Sequence, residues 1–389
     1  VGGSYAGLSS VRYEVLADGV VTQQDTYSFG QENRQNSFSQ ALTIDSASNN
    51  SNQVSVRVYA QDNAGNTSES ETDVQIDVTA PQISVSYDLN APENGSYYSQ
   101  TRTATVTVLE RNFDENGVSW DIRNTEGDQP VIGAWSHSAA NGISDATVHT
   151  CEVVFAADGD YEFGLSVTDA AGNTGEYGRT DAFTIDQTLP EAEVAYDNMD
   201  SHEDGYYNAS RTATVTITEH NFRAEDVEFT FTGESTPQVS EFESIGDVHT
   251  ATIRFAEDGN YTFTMDYRDL AGNRIEEFEE ESFVIDTEAP KVEIRDVEGA
   301  NSGDVQPRIL TSDTNYTAAG VEITLEGLNH EAEEPQRDTA ASEATGGGET
   351  IVLANMPVER EYDDLYTLTV TVTDRAGNET TEEIQYSVN

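Results

Sequence analysis

Across 389 residues there is one cysteine, Cys151, one lysine, Lys291, and only 18 lysines and arginines together against 73 aspartates and glutamates. A lone cysteine excludes an internal disulfide framework and any paired-cysteine metal or redox motif. Because Cys151 alternates with Val153 and Phe155, it reads as a small buried hydrophobe rather than a reactive thiol. The formal net charge of −55 argues against a polyanion partner, since nucleic acid and anionic lipid surfaces would both be repelled. No run of 18 apolar residues is present, so no direct membrane insertion is expected. The six histidines are scattered, and no HExxH, P-loop, GxGxxG or Ser-His-Asp pattern stands in a usable context, so the chain reads as non-enzymatic with no catalytic residue. The acidic excess fits either a surface kept soluble in high salt or an exported protein with arginine-biased coding. With no initiator methionine, the chain reads as a piece of something longer.

What the chain does have is one phrase said four times. Asp62-Asn63-Ala64-Gly65-Asn66 returns as Asp169-Ala170-Ala171-Gly172-Asn173, as Asp269-Leu270-Ala271-Gly272-Asn273 and as Asp374-Arg375-Ala376-Gly377-Asn378. A spacing of roughly 100 residues means tandem domains, not the short units of a solenoid. Each copy lies between β-like runs and has turn chemistry. The aspartate can accept from amides two residues on, the glycine supplies a positive φ, and the asparagine tolerates the left-handed region. The reading is a turn closing the last hairpin of each domain, with a calcium contact from the same Asp and Asn as the minority alternative.

A second phrase marks the boundaries: Ile76-Asp77-Val78-Thr79-Ala80-Pro81, Ile185-Asp186-Gln187-Thr188-Leu189-Pro190 and Ile285-Asp286-Thr287-Glu288-Ala289-Pro290. Proline lacks an amide donor and holds the preceding residue extended, so these are short, stiff joints. The expected domains are 1–80, 81–189, 190–289 and 290–389, strung into an elongated rod. The first has only about 80 residues and is expected to lack its first strand, leaving an unpaired edge. Asp77, Asp186 and Asp286 recur at the joints and are the candidate metal ligands, because calcium wants six to eight oxygens and adjacent modules could each supply some. The alternative is that each aspartate merely ends a strand and caps the turn into the proline.

The second and third modules are close copies. Arg102-Thr103-Ala104-Thr105-Val106-Thr107-Val108 matches Arg211-Thr212-Ala213-Thr214-Val215-Thr216-Ile217, with the period of two that a sheet with one wet face requires. In the third module, strands are expected near 192–196, 211–218, 227–231, 239–242, 250–255, 261–267 and 282–286, which makes a two-sheet sandwich. Asp158-Gly159-Asp160-Tyr161 and Asp258-Gly259-Asn260-Tyr261 place Tyr161 and Tyr261 where a sandwich carries a tyrosine corner, its hydroxyl returning to the backbone upstream. His149 and His249 repeat at matching positions, which suits strand packing or a hydrogen bond better than zinc. In the fourth module, residues 326–350 are rich in Glu, Ala and Gly and predict a mobile loop.

Together the Asp-x-Ala-Gly-Asn turn, the Arg-Thr-Ala-Thr-Val-Thr strand followed by Glu-x-Asn-Phe, and the Asp-Gly-x-Tyr corner resemble bacterial immunoglobulin-like repeats. The resemblance covers all four modules through the turn and is most specific in the second and third. It implies an all-β chain of four tandem immunoglobulin-like sandwiches, of the kind found in large surface proteins of Gram-positive bacteria. It further implies an extracellular, monomeric stalk or adhesive segment that spaces a distal domain from the cell wall. Two alternatives stand beside it. One is a module that binds a host protein or glycan through aromatics such as Trp135 and Tyr97-Tyr98, and the other is an accessory segment of a secreted enzyme. No cofactor is expected beyond calcium.

Overall fold

The computed structural model describes residues 6–32, 35–125, 127–139, 147–233 and 235–389. Among them there is no α-helix, and the only helical pieces are single 3-10 turns at Glu115–Gly117, Ala224–Asp226 and Ala318–Gly320. The chain is therefore all-β, as the alternating patterns require. It divides into two compact units, residues 1–188 and 189–389.

In the first unit, residues 8–76 form one antiparallel sheet in the order Val20–Ser28, Leu8–Ala17, Ser51–Asp62, Thr67–Ile76. Val15, Leu16 and Val54 are buried on it, while Val20 and Val21 on an outer strand are exposed. The start of the chain, residues 1–5, lies outside the described residues.

Residues 82–185 form two facing sheets. One runs Ser136–Ala139, Thr147–Phe155, Arg102–Leu109, Gln82–Tyr87, and the other runs Thr174–Glu176, Gly159–Thr168, Asp181–Ile185, Tyr97–Tyr98, with Val118–Asn124 on the far side of Gly159–Thr168. Between them Ala104, Val106, Val108, Val153, Phe155, Phe163 and Ile185 are completely buried. Each large apolar side chain so buried contributes about 1.5–3 kcal/mol. Cys151 is buried too, its thiol pushed up in pKa chiefly by that burial, as expected of a packing residue.

The second unit repeats this plan twice. Residues 191–285 and 291–388 each carry two sheets, whose cores centre on Ile217, Ile253 and Phe263 in one and on Ile309, Leu368 and Tyr386 in the other. In all three sandwiches a two-residue strand, Tyr97–Tyr98, Tyr206–Tyr207 or Ala300–Asn301, pairs in parallel with the final strand. Strands of two residues carry no periodicity, and none of these is legible in the sequence.

One expectation fails. Residues 326–350 are not an open loop: Glu333 exchanges backbone hydrogen bonds with Leu325, and Glu343–Thr345 and Gly348–Val352 make a hairpin that joins the sheet. Gly348 is there for close approach rather than freedom, since a Cβ would meet the Thr311 carbonyl oxygen at 2.0 Å.

The alternation also carries an unexpected passenger. Arg102 and Arg211 lie two residues before Ala104 and Ala213, so they point inward with the core. The Arg102 guanidinium sits 3.8 Å from the Tyr87 ring centre, 4.3 Å from Tyr98 and 4.6 Å from Phe183, and its Nε donates to the Leu89 carbonyl at 2.9 Å. Arg211 repeats this against Tyr196, Tyr207 and Phe283, with Nε donating to the Asn198 carbonyl.

Candidate metal centre

The four repeated turns are built alike. In each, the aspartate backbone N–H donates to the asparagine carbonyl, one carboxylate oxygen accepts from the asparagine N–H and the other from its side-chain amide: Asp62 with Asn66, Asp169 with Asn173, Asp269 with Asn273, Asp374 with Asn378. Gly65, Gly172, Gly272 and Gly377 take φ between +86° and +93°, where a Cβ would be strained. The Tyr161 hydroxyl donates to the Ala157 carbonyl at 2.9 Å and that of Tyr261 to the Glu257 carbonyl at 2.7 Å.

The junction aspartates are also alike. Asp77, Asp186 and Asp286 each accept from the backbone N–H two residues on, at Thr79, Thr188 and Glu288. Within the first unit the turn reaches the junction: Asn173 donates its side-chain amide to the Asp77 carbonyl at 3.3 Å, and Asn112 donates to the Asp77 carboxylate. Within the second unit, Asn378 donates to the Asp286 carbonyl at 2.8 Å and Asn315 to its carboxylate at 2.7 Å. The turn is thus a clasp on the preceding joint as well as the close of a hairpin.

Two clusters follow. One oxygen each from Asp77, Glu110 and Asp169 lie within 4.8 Å of one another, and so do one each from Asp286, Asp313 and Asp374. Asp374 is fully buried, Asp286 nearly so. Carboxylates at such spacing offer the hard oxygen ligands that calcium prefers. The clusters differ in their compensation. At the first, an Arg111 nitrogen lies 3.1 Å from Asp77. Burial raises the Asp77 pKa, but the Thr79 amide, the Asn112 amide and Arg111 outweigh it and leave the carboxyl below its usual range. Glu110 is pushed up, first by burial and then by Asp77 and Asp169. At the second, Thr314 stands where Arg111 stands in the first. The Asp313 carboxyl is raised, first by burial and then by the charges of Asp286, Asp374 and Glu288.

Asp77, Asp186 and Asp286 are therefore capping groups, Asp186 and Asp286 buried and Asp77 half-buried, and within the two units Asp77 and Asp286 are brought beside turn aspartates. Sequence reasoning missed Glu110 and Asp313. The signal was the Glu-x-Asn-Phe phrase at Glu110 and Glu219, which reads Asp313-Thr314-Asn315-Tyr316 in the fourth module. His149 and His249 are buried, stacked on Phe113 and Phe222, with Nε2 on the carbonyls of Glu110 and Glu219. They therefore brace the strand end that carries the acid. Trp135, a candidate for glycan contact, is half-buried and packs on Phe113 and Trp120 against the core.

The raised Asp313 fixes a pH dependence. A carboxyl that protonates more readily folded than unfolded contributes its stability below the unfolded value, near 4, and that contribution is lost as pH rises through the raised folded value. In chelator, Asp313→Asn should raise the Tm of the fourth module at pH 7 and leave it nearly unchanged at pH 3.5, read by calorimetry. A lower Tm at pH 7 would contradict the crowding of charge at this site.

Against known proteins, a family described as bacterial Ig-like domain matches residues 136–187 and 322–388. No curated protein matches. Among solved structures, an Escherichia coli adhesin, FdeC, is similar at 11% identity and a TM-score of 0.34, over 79% of this chain and 96% of that one. Extracellular cadherin domains 3–6 of protocadherin gamma B2 are similar at 12% identity and a TM-score of 0.28, over 87% and 84%.

Proposed function

We propose that the chain is a non-catalytic segment of a large bacterial surface or secreted protein. Its four modules, an open sheet in 1–80 and sandwiches in 81–189, 190–289 and 290–389, serve as a stalk that displays a distal domain or adheres in its own right. The observation that carries this reading is the clasp, in which the turn of one module hydrogen-bonds the junction aspartate before it. Sequence is spent on fixing joints, as a spacer requires, while the repeated elements supply structure and no catalytic constellation. The family likeness over residues 136–187 and 322–388 supports a setting on the cell surface. We further propose that calcium completes the cluster of Asp286, Asp313 and Asp374, where among the described residues no arginine pairs with the carboxylates, and binds less readily beside Asp77, where Arg111 does.

Small-angle scattering and calorimetry of the whole chain test both parts. The stalk reading expects an elongated particle, and a compact globule would overturn it. The calcium reading expects a higher Tm for the fourth module in millimolar calcium than in chelator. An identical Tm in both would retire the metal and leave the stalk standing.

A further inference from the structure

The fourth module departs from its neighbours at one place that neither the turn nor the joint explains. Tyr366 occupies the corner position: it faces Tyr386 across the last two strands as Tyr161 faces Phe183 and Tyr261 faces Phe283. At the corner, the hydroxyls of Tyr161 and Tyr261 are tied to backbone carbonyls four residues upstream. Among the described residues the Tyr366 hydroxyl has no hydrogen-bond partner, although the residue is only 5% exposed. The residue lines a cavity of about 470 Å3. The residue is buried but its hydroxyl oxygen is not closed off, so a group entering the cavity can meet it in place of water.

The cavity has an apolar floor and an acidic mouth. Leu325, Leu353, Met356 and the Tyr366 ring line the bottom, and Glu331, Glu333, Glu334 and Glu361 line the rim, with no lysine or arginine among the lining residues. The rim is held in place, because Glu333 is paired with Leu325 through both backbone bonds and Gln336 accepts from the Ala354 N–H. The one histidine among the lining residues, His330, is engaged with Asp364 at 2.8 Å and stacks on the Tyr366 ring. A cation on an apolar stem meets what is there: a stem against the floor, carboxylates around its head, and a hydroxyl to accept from it.

We propose that this cavity binds the side chain of a lysine or arginine presented by a partner protein, with the charged head among the four glutamates and Tyr366 accepting its deepest hydrogen bond. It gives the adhesive form of the proposed function a class of partner, and rests on that reading only for the source of the cation. The scattering test above does not involve this cavity, so the two can fail separately.

The three methionines supply a local readout, since Met356 lines the cavity while Met199 and Met265 lie in the third module. Methyl NMR of the whole chain, titrated with Nα-acetyl-lysine methylamide at low salt, should move Met356 saturably and leave Met199 and Met265 in place. The Nε-acetylated compound, which has lost its charge, should bind about tenfold more weakly, and so should Nα-acetyl-lysine methylamide itself to the double variant Glu333→Gln/Glu361→Gln, whose changes are on exposed side chains. Tyr366→Phe should weaken binding without lowering Tm, as there is no internal bond to lose, whereas Tyr161→Phe should lower it. The proposal is overturned by no saturation at Met356, by equal binding of the neutral compound, by an unchanged double variant, or by tighter binding of a neutral oligosaccharide at Met356.

Discussion

Asp374→Ala, in calcium, should lower the stability of the fourth module by about 3 kcal/mol, the cost of leaving two part-buried donors without their buried acceptor at roughly 1–3 kcal/mol each. That corresponds to about 12 °C or more in Tm for a module of this size. The donors are the backbone and side-chain amides of Asn378, and the second also holds the Asp286 carbonyl, so the joint loosens with the turn. The control lies within the same chain. Asp62 makes the same bonds at a solvent-exposed turn, where water can replace the carboxylate, and Asp62→Ala should change much less. In chelator the Asp374→Ala loss should shrink, because the substitution also removes one of three crowded negative charges. Hydrogen exchange of the Asp364–Val388 hairpin and, for the control, of the Ser51–Ile76 hairpin, with and without calcium, reads all of this. Equal losses at Asp62 and Asp374 would sink the burial argument.

Arg102→Ala should cost the second module about 3 kcal/mol or more. A desolvated cation over aromatic rings is worth about 2 kcal/mol, its charged N–H to a carbonyl about 1.5–3, and the contributions overlap. Arg102→Lys should fall between, because an ammonium is a compact point charge and cannot lie flat on Tyr87, Tyr98 and Phe183 together while reaching the Leu89 carbonyl. Both tryptophans of the chain, Trp120 and Trp135, pack against this core. Urea unfolding followed by tryptophan fluorescence therefore reports this module alone. A midpoint within error of the parent for Arg102→Ala would show that the cage around the guanidinium contributes nothing net.

The fold class was legible because it rests on signals that repeat: the turn, the Ile-Asp-…-Pro phrase, and the alternation of Ala213, Val215 and Ile217. Six of the seven strands expected in the third module have a strand at the same place, and the seventh, expected near 239–242, is Gln238–Val239 beside a separate Glu243–Ile245. What was not legible depended on long-range pairing. Nothing local says that Tyr206–Tyr207 will pair with Glu281–Ile285. The glycines of 346–348 suggested looseness, yet Gly348 is a close-packing residue. Arg211 shares the parity of the core positions, but arginine is usually a surface residue. The junction aspartates were found because they repeat, whereas their partners Glu110 and Asp313 are separated from them by a whole strand pair.

The two-residue strands have a mechanical consequence. Tension along a stalk pulls the two ends of each sandwich apart. The opening strand Gln82–Tyr87 is antiparallel to Arg102–Leu109 and can peel away one bond at a time. The next contact cannot. Ser96 and Tyr98 accept from Thr184 and Asp186 across a parallel pair, as Gly205 and Tyr207 do from Val284 and Asp286, so a pull from both ends loads these bonds together in shear. Each sandwich thus has a soft first extension followed by a stop, and the brake lies next to the aspartates that fix the joint.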